Sequence, residues 1–488
     1  MESPIFGLSF VYTSVHQVIT HMADPIKFGT DGWRAIIADT YTLDNLSRVT
    51  AATAAYVKAH HPANPSVMIG YDCRFGGAMF ARAVANQLAQ LGVKAFLSPD
   101  YASTPMVSLA TLQRQCSLGI VITASHNPPD YNGFKLKGHF GGPAFPAIIS
   151  EVEGSIPDAP QRMPDRFEEL LAQRQIEFYD MEALYLNHIK QSFDLEAIHK
   201  SGLKIGYDAM YGAGQGVMRK LFPHAELLHC TLNPGFEGQA PEPIEKNLQP
   251  FAERIRSQGL DFGLATDGDA DRIGLFDEKG QFVDSHIIML LSQWYLYQDK
   301  GQRGKIVYTF SCTDKIRQMA EKHGLPWEMT KIGFKYIGEI MANEAVLVGG
   351  EESGGMAVAG HIPERDGIYM GLLMLEMMAR RGRTLTQLVQ DLYDYIGPFS
   401  VQRHDLHIDD DKKHRVMLYC QGGKYQQFGT YVVTRTEDVD GYKFHLGEGR
   451  WVMVRPSGTE PLLRVYAEGH NRQEADAILA AAVQVLSA

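Results

Sequence analysis

Residues 66–92 read SVMIGYDCRFGGAMFARAVANQLAQLG, and this stretch decides the fold class. It begins with an apolar run of strand length, continues through a glycine-containing turn, and ends with the apolar spacing of an amphipathic helix. The same order recurs in LKIGYDAMYGAGQGVMRKLF at 203–222 and in GKIVYTFSCTDKIRQMAEKHG at 304–324. The first two copies also share the letters IGYD, at Ile69–Asp72 and Ile205–Asp208. Alternating strands and helices are typical of α/β units with largely parallel sheets.

Three such openings predict three related α/β domains in tandem, although unrelated α/β units can share the pattern by chance. From about Gly397 the chain changes to short strands, turn residues and a closing helix. That composition is typical of a smaller α+β domain. The predicted fold class is therefore α/β, with three related domains whose sheets are mixed but largely parallel, followed by a C-terminal α+β domain.

The predicted borders fall in turn-rich segments, such as the linker-like PDAPQRMP at residues 157–164. Residues 1–21 lack the basic region and small-residue cleavage site of a signal peptide, and a second start fits at Met22. We expect them to be a poorly ordered N-terminal extension. The domains are then predicted over residues 22–160, 161–283, 284–396 and 397–488.

Bulk composition argues against several functional classes. The chain has 46 Lys and Arg against 57 Asp and Glu, a net charge of −11, which argues against nucleic-acid binding but not against a small anionic substrate. No apolar run approaches the ~18 residues of a membrane span. The five cysteines are scattered without a CxxC pair. Their pattern disfavours disulfide scaffolds and zinc modules, and it predicts a cytoplasmic protein.

The stretch GLATDGDADRIGLFDEKG places Asp267, Asp269 and Asp271 at alternate positions. Three carboxylates this close repel one another unless a cation offsets them, and oxygen ligands suit Mg²⁺ or Ca²⁺. An EF-hand would need glycine where Arg272 stands, and the flanking segments read as strands. The alternatives to a divalent-cation site on a strand-end loop are a phosphatase-type aspartate nucleophile and a solvated acidic turn.

Two further loops carry groups suited to a phosphosugar. VGGEESGG places Glu351, Glu352 and Ser353 between glycines, where carboxylate and hydroxyl groups suit sugar hydroxyls, although an ordinary turn is an alternative. VRPSGTEPLLRVYAEG supplies Arg455 and Arg464, which can form bidentate bonds to phosphate. The second loop lacks the Walker pattern, so a nucleotide P-loop is not indicated.

Two loops near the start of the chain carry further charged groups. KFGTDGWRA places Arg34 on a glycine-rich loop. GYDCRFGG adds Asp72 and Arg74, which we expect to form a structural ion pair.

VITASHNPPDYNGFKLKG, residues 121–138, places Ser125 and His126 directly after a buried strand. A hydrolase could use that pair, but Ser125 is not in a GxSxG elbow and nothing nearby marks an Asp–His relay. A serine that carries a phosphoryl group instead needs a cation, an acid/base and a phosphosugar site. The predicted loops supply all of these, and they indicate a sugar-phosphate mutase.

The chain resembles the α-D-phosphohexomutase superfamily, and within it the phosphoglucomutase/phosphomannomutase family. The resemblance covers Ile26 to Ala488 and rests on TASHNPPDYNGFK, DGDADR, GEESGG and RPSGTEP in the family's order. It implies four domains around a central cleft, with the C-terminal domain closing as a lid. It also implies interconversion of hexose 1-phosphate and hexose 6-phosphate through a phosphoserine and glucose 1,6-bisphosphate. One Mg²⁺ per chain, hexose phosphates as partners and a monomer or homodimer are expected.

The same resemblance implies roles for individual residues. Ser125 matches the phosphorylated serine, and together with Asp267, Asp269 and Asp271 it would bind Mg²⁺. The other predicted catalytic residues are Arg34, His126 and Lys135, and Lys135, His126 and Asp366 remain open as the acid/base. The predicted substrate-binding residues are Arg272, Glu351, Ser353, Arg365, Arg455, Ser457, Gly458, Thr459 and Arg464.

The preferred hexose rests on two differences from the family's motifs. Gly355 stands where mannose-tolerant relatives often have histidine, and Trp33 and Ala35 alter the GTDGIRG usual in phosphoglucosamine mutases. Both differences favour glucose phosphates. Mannose or glucosamine phosphates are the nearest alternatives, followed by a serine-dependent sugar phosphatase and a non-enzymatic sugar-phosphate sensor.

Overall fold

The computed structural model describes residues 24–456 and 462–487. Its first sheet has six strands in the order β1-β5-β4-β2-β3-β6, and only β5 is antiparallel to its neighbours. The strands are β1 (Trp33–Ile36), β2 (Ser66–Tyr71), β3 (Lys94–Leu97), β4 (Leu118–Ile122), β5 (Tyr131–Gly138) and β6 (Ile176–Phe178). The helices are α1 (Leu43–His60), α2 (Gly77–Gln90), α3 (Thr104–Gln113), α4 (Pro146–Gly154) and α5 (Phe167–Ala172). Because β6 pairs with β3, this sheet extends beyond the border predicted at residue 160.

The second sheet has five strands in the order β11-β10-β9-β7-β8. They are β7 (Ile205–Asp208), β8 (Glu226–Leu228), β9 (Phe262–Thr266), β10 (Ile273–Phe276) and β11 (Phe282–Val283). The helices are α6 (Met181–Ser192), α7 (Leu195–Lys200), α8 (Gln215–Leu221) and α9 (Gln249–Gln258). The acidic loop joins the antiparallel strands β9 and β10, so the EF-hand alternative, which needs flanking helices, is wrong.

The third sheet has the order β13-β12-β14-β15, with β12 parallel to both neighbours. Its strands are β12 (Lys305–Thr309), β13 (Trp327–Thr330), β14 (Val346–Gly350) and β15 (Met356–Val358). The helices are α10 (Ser285–Gln298), α11 (Lys315–Lys322), α12 (Phe334–Asn343), α13 (Gly367–Arg381) and α14 (Leu385–Ile396). The GEESGG loop connects β14 to β15 at the end of this sheet.

The fourth sheet is entirely antiparallel, in the order β16-β22-β21-β20-β19. Its strands are β16 (Ser400–His407), β19 (Arg435–Glu437), β20 (Tyr442–Gly447), β21 (Arg450–Pro456) and β22 (Leu462–Gly469), and β17 (Gln427–Phe428) and β18 (Tyr431–Val432) form a separate pair. The helices are α15 (Asp410–Gln421) and α16 (Arg472–Ser487). Mixed, largely parallel sheets followed by an antiparallel α+β unit confirm the predicted fold class. The predicted extension over residues 1–21 lies outside the described residues.

The hydrophobic cores separate the last unit from the others. One core runs continuously through the first three units and includes Val107, Leu264 and Met374. The fourth unit has a core of its own between its sheet and α15 and α16. A small cluster joins Phe310 of the third unit to Tyr466 on the other face of the fourth sheet. Among the helices of the described chain, none is long and apolar enough to cross a membrane.

Candidate active site

Ser125 lies in a strained, tightly held loop after β4. Its backbone adopts a left-handed φ of +53°, and its side chain is fully buried. Arg74 donates to the carbonyls of Ser125 at 2.7 Å and Asn127 at 2.6 Å, and its Nε lies 3.3 Å from Asp72 Oδ2. The structural ion pair expected from Asp72 and Arg74 is confirmed. A left-handed conformation held this firmly fixes the position of a functional side chain.

The three aspartates of the acidic loop form a buried cluster beside Ser125. Their ligand oxygens all lie within 4.8 Å of one another, and Ser125 Oγ donates to Asp267 Oδ2 at 2.8 Å. Burial and repulsion by Asp269 and Asp271 raise the pKa of Asp267 well above its ordinary value.

Two oxygens of this cluster are available to a metal ion. The Oδ1 atoms of Asp269 and Asp271 are buried without a hydrogen-bond partner among the described residues. Buried carboxylate oxygens without donors are costly unless a cation compensates them. The donor set is oxygen only, and it therefore fits a hard divalent cation such as Mg²⁺.

Lys135 on β5 neutralises the opposite side of these carboxylates. Its Nζ lies 2.7 Å from Asp269 Oδ2, 3.2 Å from Asp271 Oδ2 and 2.9 Å from Asp31 Oδ2. Burial alone would lower the pKa of Lys135, but the three carboxylates outweigh it and raise that pKa well above its ordinary value. An ammonium group held in this way is a counter-ion, which disfavours Lys135 as the acid/base.

Arg365 lies in the same charged cluster. Its Nη2 contacts Asp31 and lies 2.6 Å from Asp271 Oδ2, and its Nη1 lies 3.8 Å from Glu351 Oε2. The residue predicted to bind substrate thus holds a carboxylate of the acidic loop and also reaches the GEESGG loop. It connects the second and third sheets through the site.

Four contacts in this cluster were not predicted from the sequence. Asp31 contacts Lys135 and Arg365, Lys137 lies 2.9 Å from Glu364, and Thr104 donates to Asp269 Oδ2 at 2.5 Å. All four contacts join segments far apart in the chain, so the KFGTDGWRA motif, which contains Asp31, offered the only signal in the sequence.

His126, Arg34 and Arg272 contact different parts of the site around Ser125. His126 Nδ1 lies 3.5 Å from Ser125 Oγ, and burial with nearby Arg272 and Arg34 lowers the pKa of His126 well below its ordinary value. Arg34 donates to Asn127 at 2.6 Å within the serine loop. The backbone N–H of Arg272 donates to Asp267 at 3.1 Å.

Asp366 is committed to other partners. One carboxylate oxygen accepts from Tyr185 at 2.7 Å and lies 2.9 Å from His361 Nε2. The other caps α13 by accepting from the backbone N–H of Tyr369 at 2.9 Å. This arrangement gives Asp366 a structural role, and it disfavours Asp366 as the acid/base.

The GEESGG loop presents one carboxylate to the site and uses the other for anchoring. Burial raises the pKa of Glu351 to about 7. Glu352 instead accepts hydrogen bonds from Ser311 and, at 3.2 Å, from the hydroxyl of Tyr466 in the fourth sheet. Ser353 is half-buried between the two glycine pairs. No pattern in the sequence pointed to Tyr466, which belongs to another domain.

Arg455 and Arg464 face each other across β21 and β22, so their side chains lie on the same face of the fourth sheet. Arg455 Nε lies 3.4 Å from Asp440, and Arg464 Nε is buried without a partner in the described part of the chain. Two guanidinium groups at one place suit a phosphate group. Ser457, Gly458 and Thr459, also predicted here, lie outside the described residues.

Comparison with known proteins identifies four family domains in order. The chain matches phosphoglucomutase/phosphomannomutase alpha/beta/alpha domain I over residues 25–163, domain II over 183–280, domain III over 284–395 and the C-terminal domain over 410–485. These matches cover most of the chain, and they follow the same order as the four sheets.

Individual relatives agree with the domain matches. A phosphoglucomutase/phosphomannomutase of Thermococcus kodakarensis is 29% identical, covering 94% of this chain and 98% of the relative. A phosphoglucosamine mutase of Staphylococcus epidermidis is 30% identical, covering 92% and 95%. A crystal structure from Thermus thermophilus, described as a phosphomannomutase, aligns with a TM-score of 0.84 at 29% identity, covering 96% of this chain and all of the other. The chain therefore belongs to the phosphoglucomutase/phosphomannomutase family of α-D-phosphohexomutases, isomerases that transfer phosphate within a molecule.

Proposed function

We propose that this chain interconverts hexose 1-phosphate and hexose 6-phosphate through a phosphorylated Ser125. The observation that carries the proposal is the 2.8 Å contact between Ser125 Oγ and Asp267 beside two unpartnered carboxylate oxygens. That arrangement suits a serine that holds a phosphoryl group next to a divalent cation. An acyl-transfer serine would need no such carboxylate cluster.

The proposed reaction consists of two phosphoryl transfers, one from Ser125 to the sugar and one from the sugar back to Ser125. In the first, the free hydroxyl of the hexose monophosphate attacks the phosphoserine, so that a new P–O bond forms, the P–Oγ bond breaks and the hydroxyl proton passes to a base. The resulting bisphosphate turns over in the cleft. In the second, Ser125 Oγ attacks the other phosphate, and the departing sugar oxygen takes the proton back.

The residues of the site divide this work. Asp267, Asp269, Asp271 and the phosphoserine would hold Mg²⁺, which when bound would offset negative charge on the transferring phosphoryl group. His126 is proposed to take and return the proton, because its Nδ1 lies 3.5 Å from Ser125 Oγ, whereas Lys135 and Asp366 are held by other partners.

Other side chains are proposed to bind the substrate. Glu351 and Ser353 would accept and donate at sugar hydroxyls, and Arg272 and Arg34 would face the transferring phosphate. Arg455 and Arg464, with Ser457, Gly458 and Thr459, would hold the phosphate that is not transferred.

The expected preference for glucose is not confirmed, and the relatives favour the alternative. Their names refer to glucosamine or mannose phosphates, and the one that includes glucose also includes mannose. We therefore propose glucosamine phosphate as the first substrate and mannose phosphate as the second. The buried carboxyl group of Glu351 is compatible with both, since a carboxylate can accept from a hydroxyl or an ammonium group.

The mechanism is tested by intact mass spectrometry after incubation with a hexose 1,6-bisphosphate. Wild-type protein should gain one phosphoryl group, whereas Ser125→Ala should gain none and lose mutase activity. Ser155→Ala, which removes an exposed serine of the same domain, is the matched control and should behave as wild type. Full mutase activity in Ser125→Ala would overturn the mechanism.

The substrate is tested separately by comparing kcat/KM for glucosamine 1-phosphate, mannose 1-phosphate and glucose 1-phosphate. A clear preference for glucose 1-phosphate would refute the proposed substrate and leave the mutase chemistry intact. Release of inorganic phosphate far in excess of isomer exchange would favour the phosphatase alternative instead.

A further inference from the structure

Asp31 lies where three cations converge, two from the first sheet and one from a loop of the third unit. Its Oδ2 contacts Arg365 and lies 2.9 Å from Lys135 Nζ, and its Oδ1 lies 3.5 Å from Lys137 Nζ. Lys135 and Lys137 are fully buried on β5, whereas Arg365 comes from the loop before α13. The side chain of Asp31 is only 11% exposed, so these contacts are shielded from water.

Two of these cations also contact the acidic loop, and they do so on one side of it. Lys135 donates to Asp269 Oδ2 and Asp271 Oδ2, and Arg365 donates to Asp271 Oδ2. The Oδ1 atoms of the two aspartates have no hydrogen-bond partner within the described segments. Each aspartate therefore presents one oxygen to the protein's own cations and keeps the other free.

We propose that Asp31 is a positioning residue that keeps Lys135 and Arg365 on the Oδ2 side of these aspartates, so that the Oδ1 atoms stay open to a divalent cation. Without Asp31, both cations lose a shared buried acceptor. The nearest buried oxygens without donors are the Oδ1 atoms, and a cation that moves there competes with the metal for the same ligand. The inference rests on the divalent-cation site of the proposed function.

The direct test is Mn²⁺ binding to the full chain, measured as the loss of the free Mn²⁺ signal in electron paramagnetic resonance. Mn²⁺ replaces Mg²⁺ because both prefer octahedral oxygen ligands. Asp31→Asn should weaken Mn²⁺ binding roughly 10–100-fold, the range seen when outer partners of metal ligands are removed. Asp31→Glu keeps the charge and should recover part of the affinity, which a merely structural role would not predict.

Asp39→Asn is the matched control, because Asp39 is exposed and has no ion pair with any residue that the structure describes. It should bind Mn²⁺ as wild type does. Should Asp31→Asn fail to fold, Asp31→Asn with Lys137→Met carries the test, since it removes one positive and one negative charge together. Wild-type Mn²⁺ affinity in whichever folded variant is measured would overturn the inference, as would a wild-type chain that binds no Mn²⁺.

This result is separable from the proposed function. Mn²⁺ binding needs neither a hexose nor a phosphorylated serine. If Ser125 never gains a phosphoryl group but Asp31→Asn still weakens Mn²⁺ binding, the mutase mechanism fails and the role of Asp31 stands. If Ser125 is phosphorylated but Mn²⁺ affinity is unchanged in Asp31→Asn, the role of Asp31 fails alone.

Discussion

At the scale of single residues, Lys135 is the internal counter-charge of the acidic loop. Replacing it with Met leaves the buried Asp269 without a contacting cation among the described residues and leaves Asp271 with Arg365 alone, and breaking such buried pairs costs about 3–5 kcal/mol. We expect Lys135→Met to unfold at a lower temperature than wild type in the presence of a chelator. Because a divalent cation can replace the missing charge, Mg²⁺ should raise the Tm of the variant more than that of wild type.

Thermal unfolding with a chelator and with Mg²⁺ measures both effects. Lys94→Met is the control, since it removes a partly exposed pair with Glu177, for which only a small change is expected. An equal Mg²⁺ shift in wild type and Lys135→Met would contradict this account of Lys135.

The sequence predicted those residues that stand in contiguous motifs, and it missed those that reach the site through the fold. Ser125 and the three aspartates could be named because DGDADR and TASHNPPDYNGFK each concentrate unusual chemistry in a few positions. Thr104 could not be named, because a threonine at the start of a helix carries no signal until the fold brings it to Asp269. The counter-ion role of Lys135 was not predictable for the same reason, since its three carboxylates come from two remote segments.

At the scale of elements, β22 connects the face of the fourth sheet that carries Arg455 and Arg464 to the GEESGG loop. Tyr466 follows Arg464 by two residues, so both side chains lie on one face of the strand. Its hydroxyl donates to Glu352 at 3.2 Å. This hydrogen bond is therefore expected to align the GEESGG loop with Arg455 and Arg464.

Tyr466→Phe removes only that hydroxyl. Because a hydrogen bond to a charged group contributes about 1.5–3 kcal/mol, we expect KM for the hexose phosphate to rise by roughly tenfold or more, with kcat changing less. Steady-state kinetics measures the two constants. Tyr442→Phe, whose hydroxyl has no hydrogen bond to a residue in the described ranges, should leave both unchanged. An unchanged KM in Tyr466→Phe would show that the contact does not align the loop.

The residue pattern of the sequence predicted the strands that flank the acidic loop, because FGLAT and RIGLF are largely apolar segments of strand length. It gave no indication of β6, whose three residues lie at the edge of the first sheet. A strand that short has too few positions to show an alternation, and only its pairing with β3 reveals it.

At the scale of the whole molecule, the shared core of the first three units and the separate core of the fourth correspond to the change in composition near Gly397. The repeated strand–turn–helix openings predicted the three related units. Their common core was not predictable, because each stretch of apolar residues reads the same whether it packs within a domain or against the next one.

The separate core leads to a prediction about motion. The fourth unit follows Gly397, whose φ of +84° favours glycine, and its contacts with the third unit include a small apolar cluster and hydrogen bonds of Tyr466, Glu468 and Lys443. We expect it to close over a bound hexose bisphosphate, because the proposed phosphoserine would need shielding from water and Arg455 and Arg464 would need to reach the substrate. Small-angle X-ray scattering should then show a smaller radius of gyration with the bisphosphate than without it. Arg455→Ala, which removes one of the two arginines proposed to bind phosphate, should contract less at the same ligand concentration. Identical scattering by ligand-free and saturated wild-type protein would rule out closure.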